Sequence, residues 1–88
     1  MNVEFRSSFL KDIRAIRDKS IHARLPELIQ LVGDAEYLGQ ISNLKRLKGG
    51  DNYYRSRVGD CRVGLIIEGD IVTFVRFLHR REVYRYFP

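Results

Sequence analysis

The sequence predicts an α+β fold in which an N-terminal strand and a helical hairpin pack on one face of a small antiparallel sheet. Three observations carry that expectation. Two stretches in the first half place apolar residues at helical spacing, three runs in the second half are rich in β-branched and aromatic residues, and Gly-Asp pairs separate those runs. This is the element order of a domain whose helices cover one sheet face and leave the other free.

Val3, Glu4 and Phe5 read as a short opening strand, with Ser7 or Ser8 as the N-cap of the helix that follows. Phe9, Leu10, Ile13 and Ile16 form that helix's apolar stripe, opposite Lys11, Asp12, Arg14 and Arg17, and the pattern runs to Asp18 or Lys19. A second helix is expected from about Ser20 to Val32, through Ile21, Leu25, Leu28 and Ile29, with Gly33 as its stop. Pro26 kinks that helix or belongs to its first turn. The stretch from Asp34 to Asn43 reads as a helical turn or an ordered loop over one end of the core. Leu44 to Lys48 is a brief extended segment, and Gly49-Gly50-Asp51-Asn52 is a turn. Three strands follow, Tyr53 to Val58, Arg62 to Glu68 and Ile71 to Leu78. Gly59-Asp60 and Gly69-Asp70 join them as two-residue hairpins. With the opening strand the sheet is read as four-stranded. The tail from His79 to Pro88 is too short and too basic to be a core helix.

The chain reads as one domain, residues 1–88. With 44% hydrophobic and 31% charged residues it falls among ordinary globular domains and outside the disordered class. A lone cysteine, Cys61, excludes an intramolecular disulfide, and with only two histidines there is no zinc-ligand spacing. No metal or cofactor is expected. The N-terminus carries no basic stretch leading into an apolar one, and no apolar run approaches the roughly 18 residues of a membrane span. A cytoplasmic location with no membrane partner is expected.

Charge is unevenly divided. Residues 1–42 hold six Lys/Arg and six Asp/Glu, whereas residues 43–88 hold ten and five, so the whole net charge of +5 lies in the second half. This is the footprint of a polyanion binder, and equally of a surface that an acidic protein would neutralise. Within it, strand alternation projects Tyr53, Arg55 and Arg57 from one face and Tyr54, Ser56 and Val58 from the other. A guanidinium unpaired in a core is costly, so the arginine face must be exposed or filled by anions. Metal-free RNA cleavage needs a proton acceptor for the ribose 2′-hydroxyl, cations for the phosphorane and an acid for the leaving oxygen. Arg55, Arg57, Arg62, His79, Arg80 and Tyr84 supply these types, and Lys45, Lys48 and Arg81 extend the basic surface for RNA. The chain has no phosphate-binding G-x-x-x-x-G-K-[ST] loop, no G-x-G-x-x-G and no nucleophile elbow.

Leu47-Lys48-Gly49, Tyr53-Tyr54-Arg55-Ser56-Arg57-Val58-Gly59-Asp60, Arg62-Val63-Gly64 and His79-Arg80-Arg81-Glu82-Val83-Tyr84 closely resemble the RelE-like toxins of bacterial and archaeal toxin-antitoxin pairs, within the RelE/ParE superfamily. The resemblance spans nearly the whole chain. It implies a ribosome-dependent endoribonuclease that cuts mRNA in the A site and leaves a 2′,3′-cyclic phosphate and a 5′-hydroxyl. It also implies a cognate antitoxin that wraps the basic face, and contact with operator DNA only through that antitoxin. Arg55 and Arg57 stand where such toxins place two basic residues facing the mRNA. Arg62 matches the arginine on the scissile phosphate, Arg80 the one near the leaving group, and Tyr84 the C-terminal tyrosine. His79 sits where some relatives carry a histidine. Arginine in place of lysine weakens the base role at positions 55 and 57, because a guanidinium stays protonated. Tyr84, His79 and a water all stay open as the proton acceptor. Any helix that relatives append after the tyrosine is reduced here to a turn at most. The alternative is a ParE-like module that inhibits DNA gyrase by binding, and a third is a decayed toxin that binds only its antitoxin and operator DNA.

Overall fold

The computed structural model describes residues 1–88. Strand β1 (Asn2–Phe5) leads into α1 (Ser7–Ala15) and α2 (Lys19–Asp34). A short 3-10 turn (Leu38–Gln40) is followed by β2 (Leu44–Arg46), β3 (Tyr53–Val58), β4 (Cys61–Glu68), β5 (Ile71–His79) and the single turn α3 (Val83–Tyr86). The α+β class and the helix-covered face hold, but the sheet has five strands, in the order β1-β5-β4-β3-β2. Strands β2 to β5 form an antiparallel meander, while β1 lies parallel to β5, with Phe5 opposite Phe74. Three residues of β2 are too few to show period-two patterning, so its pairing with β3 was invisible as more than an extended segment. No helix is long and apolar enough to cross a membrane.

The helix ends follow from side-chain chemistry. Helix α1 stops at Ala15, short of the expected end, because Asp18 turns back to cap α2. Its carboxylate accepts from the Ser20 amide at 2.9 Å, the Ser20 hydroxyl at 2.6 Å and the Ile21 amide at 3.4 Å. The Ser20 hydroxyl first, and then the Ile21 and Ser20 amides, hold the Asp18 carboxyl below the usual carboxylate range. The cap is therefore complete at neutral pH and is lost as acid protonates it. At the other helix start the expected serine cap is absent: Arg6 holds the N-cap position without a side-chain bond, and the Ser8 hydroxyl instead donates to the Val75 carbonyl at 2.6 Å. Gly33 lies inside the last turn of α2 rather than after it. Pro26 sits within one continuous helix on its exposed side, where water can serve the carbonyl that proline leaves unpaired.

Helices α1 and α2 lay Phe9, Ile21, Leu25, Leu28 and Val32 over Val58, Val63, Leu65, Val72, Phe74 and Phe77 of the sheet. Phe9 and Phe74 meet edge to face with ring centres 5.3 Å apart. Where β1 ends, the edge of β5 is closed by Asp12. Its carboxylate accepts from the Phe77 amide at 2.9 Å and from both the Nε and Nη2 of Arg76, at 2.7 and 3.2 Å. One side chain thus satisfies an exposed strand edge and ties α1 to the sheet.

The opposite face is not wholly open. Leu47, Val75, Leu78, Val83 and Phe87 form a second, smaller cluster, with Tyr53 and Ile66 at its margin. The tail, read from sequence as too short and too basic to be a core helix, supplies the lid of this cluster. Val83 and Phe87 are one helical turn apart and both buried, so a single turn is enough to bury two anchors.

Candidate nucleic-acid interface

Arg55, Arg57 and Tyr53 leave β3 on the tail-covered face, as alternation predicts, while Ser56 and Val58 are buried toward the helices. Arg62 faces the same way from β4, directly opposite Arg57. Like charges placed opposite each other on one sheet face repel. Arg62 is fixed there by its own hairpin, since its Nη1 donates to the carbonyls of Cys61 (2.9 Å) and Gly59 (3.1 Å). Gly59 has φ of +57°, the left-handed conformation that a two-residue turn with glycine first requires. Partial burial first, and then the charges of Arg55 and Arg57, hold the Arg62 guanidinium below the usual arginine range, with Arg80 adding to the effect and Tyr84 opposing it. It stays charged at any physiological pH. The ion pairs of the chain are Asp12 with Arg76 and Arg46 with Asp51, so Arg55, Arg57, Arg62 and Arg80 converge with no carboxylate partner.

Tyr84 completes this edge. Arg55 Nε donates to the Tyr84 Oη at 3.3 Å, and Arg55 Nη1 donates to the Asn43 carbonyl at 3.3 Å. The Tyr84 ring is 61% exposed, an open aromatic face beside a cation. Beyond it, Lys45, Arg46, Lys48 and Tyr84 border a groove of about 360 Å³ floored by Leu47 and Phe87. Lys45 is directly opposite Arg55 on the neighbouring strand. On the other side, Arg24, Asn43, Arg57, Arg62 and Arg80 line a hollow of about 370 Å³ over the Gly59-Asp60 turn, without one apolar residue.

Two expected residues are not brought into this set. His79 pairs with Cys61, which belongs to the helix-side core, so its ring projects to the helix side, away from Arg62. The cause is a bulge: Leu65 opposes Phe74 and Gly64 opposes Arg76, leaving Val75 extra and reversing the alternation after it. His79 Nδ1 accepts the Arg81 amide at 3.2 Å and shapes the turn into the tail. Arg81 is exposed but borders neither the groove nor the hollow. Conversely, Arg24 and Asn43 join the site without having been singled out. No local pattern marks Arg24 among the polar positions of α2, and only the packing of that helix near the β3-β4 turn brings it here. Asn43 has φ of +57°, a conformation asparagine tolerates better than most residues, and that presents its carbonyl to Arg55.

The tail that carries Tyr84 is seated on Gly64. A Cβ at that position would lie 2.8 Å from the Phe87 ring, which also meets Tyr53 edge to face at 5.6 Å. Gly64→Ala is therefore expected to lift Phe87 and loosen the turn holding Tyr84, at a cost of about 1–3 kcal/mol, while the helix-side core persists. Amide exchange at Phe87, whose N–H bonds to the Val83 carbonyl, should accelerate strongly. Unchanged protection there would show that the tail is seated by something else.

Residues 3–84 match a family model described as the ParE toxin of the type II toxin-antitoxin system parDE. Over 89 aligned residues, covering all of both chains, the sequence is 37% identical to a protein of Methanocaldococcus jannaschii named Toxin RelE3. The fold matches a RelB-RelE antitoxin-toxin complex from Methanococcus jannaschii with a TM-score of 0.80 and 35% identity, over 97% of this chain and 99% of that one. An archaeal RelE-RelB complex from Pyrococcus horikoshii shares the fold with a TM-score of 0.71 at 18% identity, over 90% and 93% of the two chains.

Proposed function

The chain belongs to the RelE/ParE family of toxins of type II toxin-antitoxin systems, and from that premise we propose that it is an endoribonuclease that cuts mRNA in the ribosomal A site without a metal. The observation that carries this reading is the convergence of Arg55, Arg57, Arg62 and Arg80 beside an exposed tyrosine hydroxyl with no carboxylate to neutralise them. In the proposed reaction the 2′-oxygen attacks the adjacent phosphorus as its proton passes to a water, or to the Tyr84 oxygen while the Tyr84 hydroxyl gives its own proton onward to the leaving oxygen. The bond to the 5′-oxygen breaks, giving a 2′,3′-cyclic phosphate and a 5′-hydroxyl. Arg62 and Arg57 stabilise the charge of the phosphorane, and Arg80 lies toward the leaving oxygen, which takes a proton from water or from the tyrosine. Arg55 orients the tyrosine hydroxyl, whose exposed ring stacks on a base. His79 serves the turn rather than the chemistry, while Lys45 and Lys48 guide the strand past Tyr84.

The partner in this reading is an antitoxin that covers the arginine face, and operator DNA is reached only through it. Support comes from the two related complexes, whose names pair RelE with RelB. The toxin would act in the cytoplasm. A second reading, gyrase inhibition by binding alone, is favoured by the ParE description of the family model. Induction in cells separates the two: labelled amino-acid incorporation should collapse within minutes, with new mRNA 5′ ends mapping inside reading frames. Continued translation accompanied by DNA damage would reject the nuclease.

A further inference from the structure

Arg24 borders two adjoining hollows. One, of about 370 Å³, it shares with Arg57, Arg62 and Arg80. The other, of about 280 Å³, it shares with Arg57, Ser42 and Asn43. Its Nη1 lies 3.4 Å from where a Gly59 Cβ would stand, and the Gly59 carbonyl is one of the two oxygens that hold Arg62, so both side chains border the same turn. The carboxylates nearby are Glu27 in the smaller hollow and Asp60 in the larger, and neither forms an ion pair with these arginines. Four arginines gathered at one polar concavity repel one another, and a bound anion relieves that repulsion.

We propose that Arg24, with Asn43, forms a second phosphate subsite that holds the RNA backbone beside the phosphate gripped by Arg62 and Arg57. The inference rests on the nuclease reading. It gives the strand a path: from the Lys45-Lys48-Tyr84 groove, across Arg55 and Arg62, to Arg24 at the far rim. RNA is favoured over an acidic protein segment because the larger hollow has no apolar lining for a docked side chain, whereas the core of a protein interface is mostly apolar. Forked guanidiniums also suit phosphate oxygens, which accept two bonds in one plane. A helix-borne arginine holding the strand would fix its direction over the sheet, which strand arginines alone do not do.

The test uses the full chain and a nine-nucleotide RNA made uncleavable by a 2′-deoxy substitution at the scissile position. Anisotropy titrations across a range of salt concentrations should show Arg24→Gln binding about 5- to 10-fold more weakly, with the salt slope reduced by about one counterion. A single neutral methylphosphonate, walked along the strand, should weaken wild-type binding at one position and leave Arg24→Gln indifferent there. Arg24 is exposed, so an unchanged melting temperature is expected to accompany these effects. Wild-type affinity and slope in Arg24→Gln, or no binding of the RNA by the wild type, overturns the subsite. So does a variant that keeps RNA but loses its antitoxin. Cleavage by Arg62→Ala, measured in parallel, reports on the nuclease reading itself, so the two failures are told apart.

Discussion

Arg62→Ala is expected to lower the cleavage rate by about 10²–10³-fold, the usual loss when one preorganised donor to a developing oxyanion is removed. Growth arrest on induction should disappear with it. Arg62 is held by two backbone carbonyls, those of Gly59 and Cys61, whereas Arg55 has one longer bond of this kind, to Asn43. A preorganised cation stabilises the phosphorane without a reorganisation cost at the moment of reaction. Its removal also relieves repulsion from Arg55 and Arg57, so the melting temperature should hold or rise slightly. Arg62→Lys keeps the charge but loses the planar fork whose Nη1 serves the carbonyls while its other nitrogens remain for the phosphate, and should recover only a minor part of the rate. Tyr84→Phe retains the stacking ring and loses the hydroxyl, so its residual rate measures how much proton transfer passes through that oxygen. Undiminished arrest by Arg62→Ala would show that the arginine face is not where the toxin acts.

The helices, the three-stranded meander and the outward face of β3 were all legible from periodicity, because each element is long enough to repeat its own pattern. Arg55 and Arg57 fell on the open face by counting alone. His79 did not yield to counting. From Phe74, strict alternation would send Arg76 and Leu78 to the core and His79 to the arginine side, but the bulge at Val75 turns Phe77 inward and His79 with it. The run Phe74-Val75-Arg76-Phe77-Leu78 has apolar residues on both sides, so neither phase is favoured until the tail covers the second face. The tail's burial was hidden for the same reason. Its charge dominates its composition, and its two anchors, Val83 and Phe87, matter only because Gly64 leaves room for a ring. Arg24 and the parallel pairing of β1 are tertiary facts with no local signature.

The largest loss of stability from one polar side chain is expected at Asp12. Asp12→Ala removes three acceptor contacts at once: two from Arg76 and one from the Phe77 amide. The side chains of Arg76 and Asp12 are 27% and 14% exposed, so water reaches the orphaned guanidinium only in part. Breaking a fully buried pair costs about 3–5 kcal/mol, and the residual exposure here brings the expectation to about 2–3 kcal/mol. For a domain of this size that corresponds to a melting temperature lower by roughly 10–20 °C. Asp12→Asn keeps an oxygen for the Phe77 amide and should restore about 1 kcal/mol, which separates the edge contact from the ion pair. The effect should also reach the tail. Arg76 lies 5.9 Å from the centre of the Tyr86 ring, so an arginine released from Asp12 no longer steadies the turn that presents Tyr84. Asp12→Ala should therefore lose cleavage activity at temperatures where its core is still folded. If activity and global unfolding fell together along one melting curve, the link from α1 through Arg76 to the tail would be absent.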